Sequence, residues 1–91
     1  MAVLTRVVLD VLKPQDPSVL ELARVLSDIG GYRVRLQVLE MDKNTETLAV
    51  EISAPSIDFD AVHQVISDLG ASLHSVDEVD FEGSPDAAEP E

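Results

Sequence analysis

The sequence contains no cysteine and no tryptophan, and aromatic residues make up only 3% of the chain. The lack of cysteine excludes a disulfide framework, thiolate metal sites and thiol nucleophiles, and it is typical of a reducing cytoplasm. The scarcity of aromatic side chains weakens any function that depends on stacking. No window holds the roughly 18 consecutive apolar residues of a membrane span, and the N-terminus lacks a signal peptide's basic start. The sequence therefore predicts a cytoplasmic protein with no membrane partner.

Basic residues are also scarce: six lysines and arginines stand against 18 aspartates and glutamates, which gives a net charge of −12. Such a surface repels phosphate backbones, because nucleic-acid binding requires cations that displace counterions. We therefore expect no nucleic-acid partner. Self-repulsion of this size opposes a compact state in dilute salt and is relieved by screening, which halophilic proteins exploit. The simplest interpretation of the acids is adaptation to molar salt, with most of them outside any site.

The length of 91 residues and the apolar fraction of 45% allow one domain with one core. We assign residues 1–81 to this domain and residues 82–91 to a disordered acidic tail, because that segment has little to bury. Within the domain, the most apolar stretch is Val3 to Leu12, which Lys13-Pro14 ends. Its two parities are both apolar, which is typical of a strand covered on both faces. Asp10 is the first candidate site residue, since a buried carboxylate is costly unless it is paired or bound to metal.

Two helices are predicted from capping residues and apolar spacing. Asp16 is expected to cap the first, with Pro17 at its first helical position, and Gly30-Gly31 ends it. Asp58 is expected to cap the second, and Gly70 ends it. Apolar residues recur every three or four positions in both segments, so each helix should bury one face. These positions are Val19, Leu22, Ala23, Leu26 and Ile29 in the first helix and Phe59, Val62, Ile66 and Leu69 in the second.

Residues 32–42 and 46–53 alternate between apolar and polar side chains and are joined by a polar turn, which predicts an antiparallel hairpin. In its first strand, the buried parity is predicted to end on Glu40 and Asp42. In the last strand, residues 71–81, three-residue spacings break the alternation and predict a bulge. The order β-α-β-β-α-β then predicts an α+β, ferredoxin-like fold: a four-stranded antiparallel sheet with two helices on one face and the first strand central. Because that strand is apolar on both parities, we expect a second copy of the chain to cover the other face, as a homo-oligomer.

Asp10 has the parity of the uncovered face, and two interpretations of it stay open. In the first, it forms a salt bridge with Arg33 or Arg35 on a neighbouring strand. In the second, acids from several strands meet at one end of the sheet and bind a hard cation, calcium or magnesium, because oxygen ligands without cysteine or clustered histidine favour these ions. The candidate metal ligands are Asp10, Glu40, Asp42 and Asp77, with Glu78 beside the last of them.

The sequence offers little for catalysis. No serine has a partnered base, and Gly30-Gly31 ends a helix instead of cradling a phosphate. We interpret His74 as a structural histidine of the last strand, near enough in sequence to Asp77 to be oriented by it, and His63 as a surface residue. We therefore expect neither an enzyme nor an organic cofactor. The leading hypothesis is a self-assembling domain tuned by divalent cations; the alternative is a regulatory module that binds an unidentified small molecule at a subunit interface near Gly30-Gly31.

Several motifs resemble the archaeal domain-of-unknown-function family 211. They are Arg6 to Pro14, Glu40-Met41-Asp42 with Thr45-Glu46, Ile57-Asp58-Phe59, and Leu69 to Val79. The resemblance implies a ferredoxin-like chain that forms cyclic or larger homo-oligomers and carries a divalent-cation site, with Asp10, Glu40, Asp42 and Asp77 as its ligands. Gln15 departs from the family pattern, which has histidine after the Lys-Pro pair. The low lysine content is typical of a protein from a salt-loving archaeon.

Overall fold

The computed structural model describes residues 1–84. Its six elements have the predicted order β-α-β-β-α-β, and the last strand ends one residue beyond the predicted limit of the domain. They are β1 (Val3–Pro14), α1 (Val19–Asp28), β2 (Arg33–Met41), β3 (Thr45–Ser53), α2 (Phe59–Asp68) and β4 (Ser72–Glu82). Most of the predicted tail, residues 85–91, lies outside the described residues.

The four strands form one sheet in the order β2-β3-β1-β4, and each neighbouring pair is antiparallel. Both helices pack on one face of this sheet, against the buried residues of the two central strands. The predicted α+β, ferredoxin-like fold with a central first strand is therefore confirmed. We call the face without helices the open face. Among the described residues, neither helix is long and apolar enough to cross a membrane.

The core lies between the helices and the two central strands. Every second residue of β1 between positions 7 and 11 lies in this core and is fully buried: Val7, Leu9 and Val11. Alternation carries the neighbouring residues to the open face, where Val8 and Asp10 are only half-buried and Leu12 is 44% exposed. Within the described residues the chain itself covers only one face of β1, so the expected cover of the other face by a second copy stays a prediction. The other fully buried core residues are Leu22 and Leu26 of α1, Leu48, Val50 and Ile52 of β3, and Val62 and Ile66 of α2.

The helix boundaries follow local hydrogen bonds. Ser18, rather than the predicted Asp16, caps α1: its Oγ accepts from the Glu21 N–H at 3.3 Å, and Pro17 lies outside the helix. Asp58 caps α2 as predicted, since its Oδ1 accepts from the Ala61 N–H at 3.1 Å. After each helix a glycine takes the left-handed conformation that ends it. These are Gly31 (φ +70°) and Gly70 (φ +82°).

Candidate functional site

Arg6 links three strands across the open face. Its Nε donates to Glu51 Oε2 on β3 at 2.7 Å, and its Nη1 donates to Glu78 Oε1 on β4 at 2.9 Å. Asp80 Oδ2 lies 3.9 Å from the same Nη1. The hydrogen bond to Glu51, followed by the one to Glu78, raises the pKa of Arg6 above its usual value. The guanidinium is thus permanently charged, and its hydrogen bonds link β1 to both β3 and β4.

The expected salt bridge between Asp10 and Arg33 or Arg35 does not form. The two arginines lie on β2, and β3 separates that strand from β1. Asp10 faces Ala49 on β3 and Ser75 on β4, and it makes no salt bridge within residues 1–84. The base that gathers acids on this face is Arg6, which lies on the same strand as Asp10. Sequence parity identified the correct face, but only the strand order decides which charges are neighbours.

Two bulges in β4 bear on the candidate site. The register against β1 shifts between Asp10 and Val11 and again between Val8 and Leu9, which leaves His74 and Asp77 as the extra residues of β4. The predicted bulge is therefore confirmed and is in fact double. Its signal in the sequence is the three-residue spacing of Leu73, Val76 and Val79. Bulges re-aim side chains, so neither His74 nor Asp77 follows the simple alternation of a strand.

A cavity of about 430 Å³ opens on the same face beside the first of these bulges. It is lined by one carboxylate, one imidazole, two hydroxyls and one apolar side chain. They belong to Asp10, His74, Thr47, Ser72 and Leu12. These groups can accept and donate hydrogen bonds to a small polar molecule or contribute oxygen ligands to a cation. The expected orientation of His74 by Asp77 is not present, because Asp77 Oδ1 instead accepts from Ser75 Oγ at 2.7 Å.

The end of β2 contradicts one prediction about parity. The register of β2 against β3 shifts between Val38 and Glu40, so Leu39 is an extra residue. Glu40 is consequently paired with Thr47 of β3, which is paired in turn with Leu12 of β1. Leu12 lies on the open face, so Glu40 lies there too and not, as predicted, on the buried face. Asp42 follows in the turn, where its Oδ1 accepts from the Lys43 N–H at 2.7 Å.

The four predicted metal ligands come from four places in the fold. Asp10 lies in β1, Glu40 in β2, Asp42 in the turn after β2, and Asp77 in β4. Within residues 1–84, no three acidic, histidine or cysteine side chains come together to hold a metal ion. One described chain therefore does not assemble the four residues around a single ion. The metal site stays a prediction.

The edge strand β4 exposes a row of apolar side chains. Val76, Val79 and Phe81 are 45%, 51% and 62% exposed, and we call these three residues the β4 patch. The patch borders an apolar cavity of about 280 Å³, whose other walls are Leu4, Val7 and Phe59. No strand pairs with the outer side of β4 within the described residues. An open strand edge and an exposed apolar row therefore coincide at this border of the sheet.

Sequence reasoning missed a buried ion pair at the end of β1. Lys13 is fully buried, and its Nζ donates to the carbonyl oxygens of Pro14, at 2.6 Å, and Pro17. Glu46 Oε1 lies 3.0 Å from this Nζ and forms an ion pair with it. Lys13 has the parity of Val7, Leu9 and Val11, which was the one signal in the sequence that this lysine points toward the core.

The chain is similar in sequence to proteins without an assigned activity. The profile of domain-of-unknown-function family 211, described as "uncharacterized ArCR", matches residues 5–83, from β1 to just beyond β4. An uncharacterised protein of Methanocaldococcus jannaschii is 42% identical over 75 residues, which are 81% of this chain and 77% of that relative. The matched span thus includes Arg6, both bulges of β4 and both outer strands of the sheet.

Proposed function

We propose that this chain, which belongs to the archaeal domain-of-unknown-function family 211, is a non-enzymatic domain that assembles with copies of itself. The observation that carries the proposal is the β4 patch on an open strand edge. β4 has two of the devices that protect strand edges in soluble monomers, bulges and acidic side chains, but neither covers the apolar row, and exposed apolar patches of this kind mark interaction sites. Covering the patch removes Val76, Val79 and Phe81 from water, which favours association in proportion to the apolar area buried.

Divalent cations are the proposed regulators of this assembly. The net charge of −12 opposes the approach of identical chains, and ions that neutralise carboxylates reduce that repulsion. Calcium and magnesium are the proposed ions, because the candidate ligands offer only hard oxygen atoms. Asp10, Glu40, Asp42 and Asp77 remain the proposed ligands, contributed by more than one copy. Molar potassium chloride would screen the remaining repulsion.

The test is light scattering on a size-exclusion column in molar potassium chloride, with a chelator and then with added calcium or magnesium. We expect a mass of several chains that falls in chelator and is restored by the dication. A single-chain mass under every condition would contradict self-assembly. An oligomer whose mass changes with neither chelator nor dication would support self-assembly and contradict regulation by divalent cations.

A pair of matched variants tests the role of the β4 patch. Phe81→Ser removes the most exposed side chain of the patch, and we expect the oligomer to dissociate at a higher protein concentration than the parent. Leu20→Ser is the control, because Leu20 is an exposed apolar residue of α1, away from the sheet edge. Equal dissociation of the two variants would show that general surface hydrophobicity, and not the patch, drives association.

A second candidate function is a regulatory module that binds a small molecule. The cavity lined by Asp10, His74 and the hydroxyls of Thr47 and Ser72 favours it, at a place different from the predicted Gly30-Gly31. Binding to the folded state raises the unfolding temperature, so thermal shifts with a panel of polar metabolites would detect a ligand. We expect Ser72→Ala or His74→Ala to abolish such a shift, and a shift that both variants retain would exclude this cavity.

A further inference from the structure

We infer that the β4 edge of one copy pairs with the β2 edge of the next, in antiparallel orientation, so that neighbouring sheets become one continuous sheet. This inference rests on the self-assembly proposed above and names the two surfaces that meet. Both strands are outer strands of the described sheet, with unpaired backbone groups on one side. The partner is therefore a second copy of this chain that presents its opposite edge.

The strand directions permit this pairing without any reversal. Strands β1 and β2 run the same way, because both are antiparallel to β3, and β4 runs against β1. Strands β4 and β2 are consequently antiparallel to each other. A second copy placed beside the first, in the same orientation, sets its β2 antiparallel to β4. The extended sheet then keeps the purely antiparallel ladder of the single chain.

The charges at the two edges are complementary on the open face. Residues that face one another across the four strands form rows, and two of these rows begin with an arginine on β2 and end with an acid on β4. The rows are Arg33-Ser53-Arg6-Asp80 and Arg35-Glu51-Val8-Glu78. When the second copy continues these rows, Asp80 of one copy faces Arg33 of the second, and Glu78 faces Arg35 of the second. Opposite charges that face each other across strands stabilise the pairing.

The two arginines are available for such contacts. Arg33 and Arg35 are exposed, and neither forms a salt bridge within residues 1–84. They are two of only six basic residues in the whole chain. Glu51 is the cross-strand neighbour of Arg35, but its carboxylate accepts from Arg6 instead. The outer edge of β2 is thus locally basic on a protein that is strongly acidic overall.

The helix side of the same edges is also complementary. There the rows that alternate with the charged ones begin and end with apolar residues. They are Val34-Ile52-Val7-Val79 and Leu36-Val50-Leu9-Val76. The same placement packs Val79 and Val76 of the β4 patch against Val34 and Leu36 of the second copy. These two β2 residues are half-buried in a single chain. One placement of the second copy therefore satisfies charge on one face and apolar contact on the other.

Pairing of like edges is disfavoured by the same charges. Two β4 strands would bring Glu78 and Asp80 toward the same acids of the partner, and like charges directly opposite destabilise a sheet. Two β2 strands that pair around Arg33 and Arg35 would likewise bring arginines together. A one-residue slip of β4 on β2 would turn the apolar residues toward the charged face. The contact is therefore heterologous, and repetition of a heterologous contact closes a ring or extends a filament.

Reciprocal charge reversal tests the contact. We expect Arg33→Glu alone and Asp80→Arg alone each to reduce the light-scattering mass to that of a single chain, because each places like charges across the interface. An equimolar mixture of the two variants should regain the parent mass, since in alternation every contact again joins a base and an acid. The chain that carries both substitutions should also assemble. Arg24→Glu on α1 makes the same change of charge away from both edges and should leave the mass unchanged.

The outcomes separate this inference from the proposed function. Circular dichroism first establishes that each variant is folded, since Asp80 also lies near Arg6. If the parent chain is a single chain in solution, both self-assembly and the β4 to β2 contact are wrong. If the parent is oligomeric and Arg33→Glu leaves its mass unchanged, or if the mixture and the double variant fail to reassemble, assembly stands and this contact is overturned.

Discussion

On its helix side, β1 buries Val7, Leu9 and Val11 completely, whereas on its open side the same strand presents Val8, Asp10 and a partly exposed Leu12. The helix side is held by apolar contacts among β1, β3 and both helices. The open side is held by a hydrogen-bonded arginine and two carboxylates at partly exposed positions.

The two faces are expected to have different roles: the helix side stabilises the fold, and the open side takes part in association. Apolar burial is not screened by salt, and each fully buried side chain contributes on the order of 1.5–3 kcal/mol. Exposed ion pairs contribute little and weaken as salt rises. We therefore expect substitutions on the helix side to unfold the chain and substitutions on the open side to change mainly what the chain binds. The following predictions test that division in order of expected effect.

Replacement of Lys13 should have the largest effect. Lys13→Met leaves the mostly buried carboxylate of Glu46 without its partner, and removal of one member of a buried pair costs about 3–5 kcal/mol. Urea unfolding followed by circular dichroism measures the change. Lys43→Met is the matched control in the exposed hairpin turn and should change the free energy of unfolding by less than about 0.5 kcal/mol. Equal losses for the two lysines would refute the importance of the buried pair.

Leu9 and Leu12 of β1 compare the two faces directly. Leu9→Ala removes a fully buried side chain, and such truncations cost about 2–5 kcal/mol in the free energy of unfolding. Leu12→Ala makes the identical change on the open face, where the residue is 44% exposed, and we expect a clearly smaller loss. The same urea titration measures both. A loss at Leu12 as large as that at Leu9 would mean that the open face is covered in solution.

Loss of the cross-link at Arg6 should have a smaller effect that depends on salt. Arg6→Met keeps the aliphatic part of the side chain and removes the hydrogen bonds to Glu51 and Glu78. We expect the urea midpoint to fall in dilute salt, by less than in Leu9→Ala, and the deficit to shrink in molar salt because screening weakens partly exposed pairs. Arg24→Met on α1 should lower the urea midpoint less, because among the described residues Arg24 pairs only with acids of its own helix. A deficit that grows with salt would contradict this account.

Asp10→Asn should have the smallest effect on stability. Asp10 has no ion-pair partner within residues 1–84, so neutralising it should change the free energy of unfolding by less than about 0.5 kcal/mol. Calcium gives the sharper readout. If Asp10 is a ligand, calcium should raise the unfolding temperature of the parent chain more than that of the variant, because ligand binding to the folded state is stabilising. Equal shifts would remove Asp10 from the proposed set of ligands.

The sequence by itself determined the kind and order of the six elements, because apolar periodicity, the Asp58 cap and the two glycine stops act over a few residues. It also determined which parity of β1 carries the core and that β4 contains a bulge. From these the ferredoxin-like sheet follows, since right-handed crossovers leave few topologies for this order of elements.

Only the tertiary structure decided which charges are neighbours. The strand order puts β3 between Asp10 and the arginines of β2, and a bulge at Leu39 moves Glu40 to the open face. Alternation points Lys13 toward the core, but the partners that stabilise its buried ammonium, the carbonyl oxygens of Pro14 and Pro17 and the carboxylate of Glu46, 33 positions away in the chain, are set by tertiary contacts. These features depend on contacts between residues distant in sequence. A single bulge reverses which face a side chain takes, so local periodicity cannot specify them.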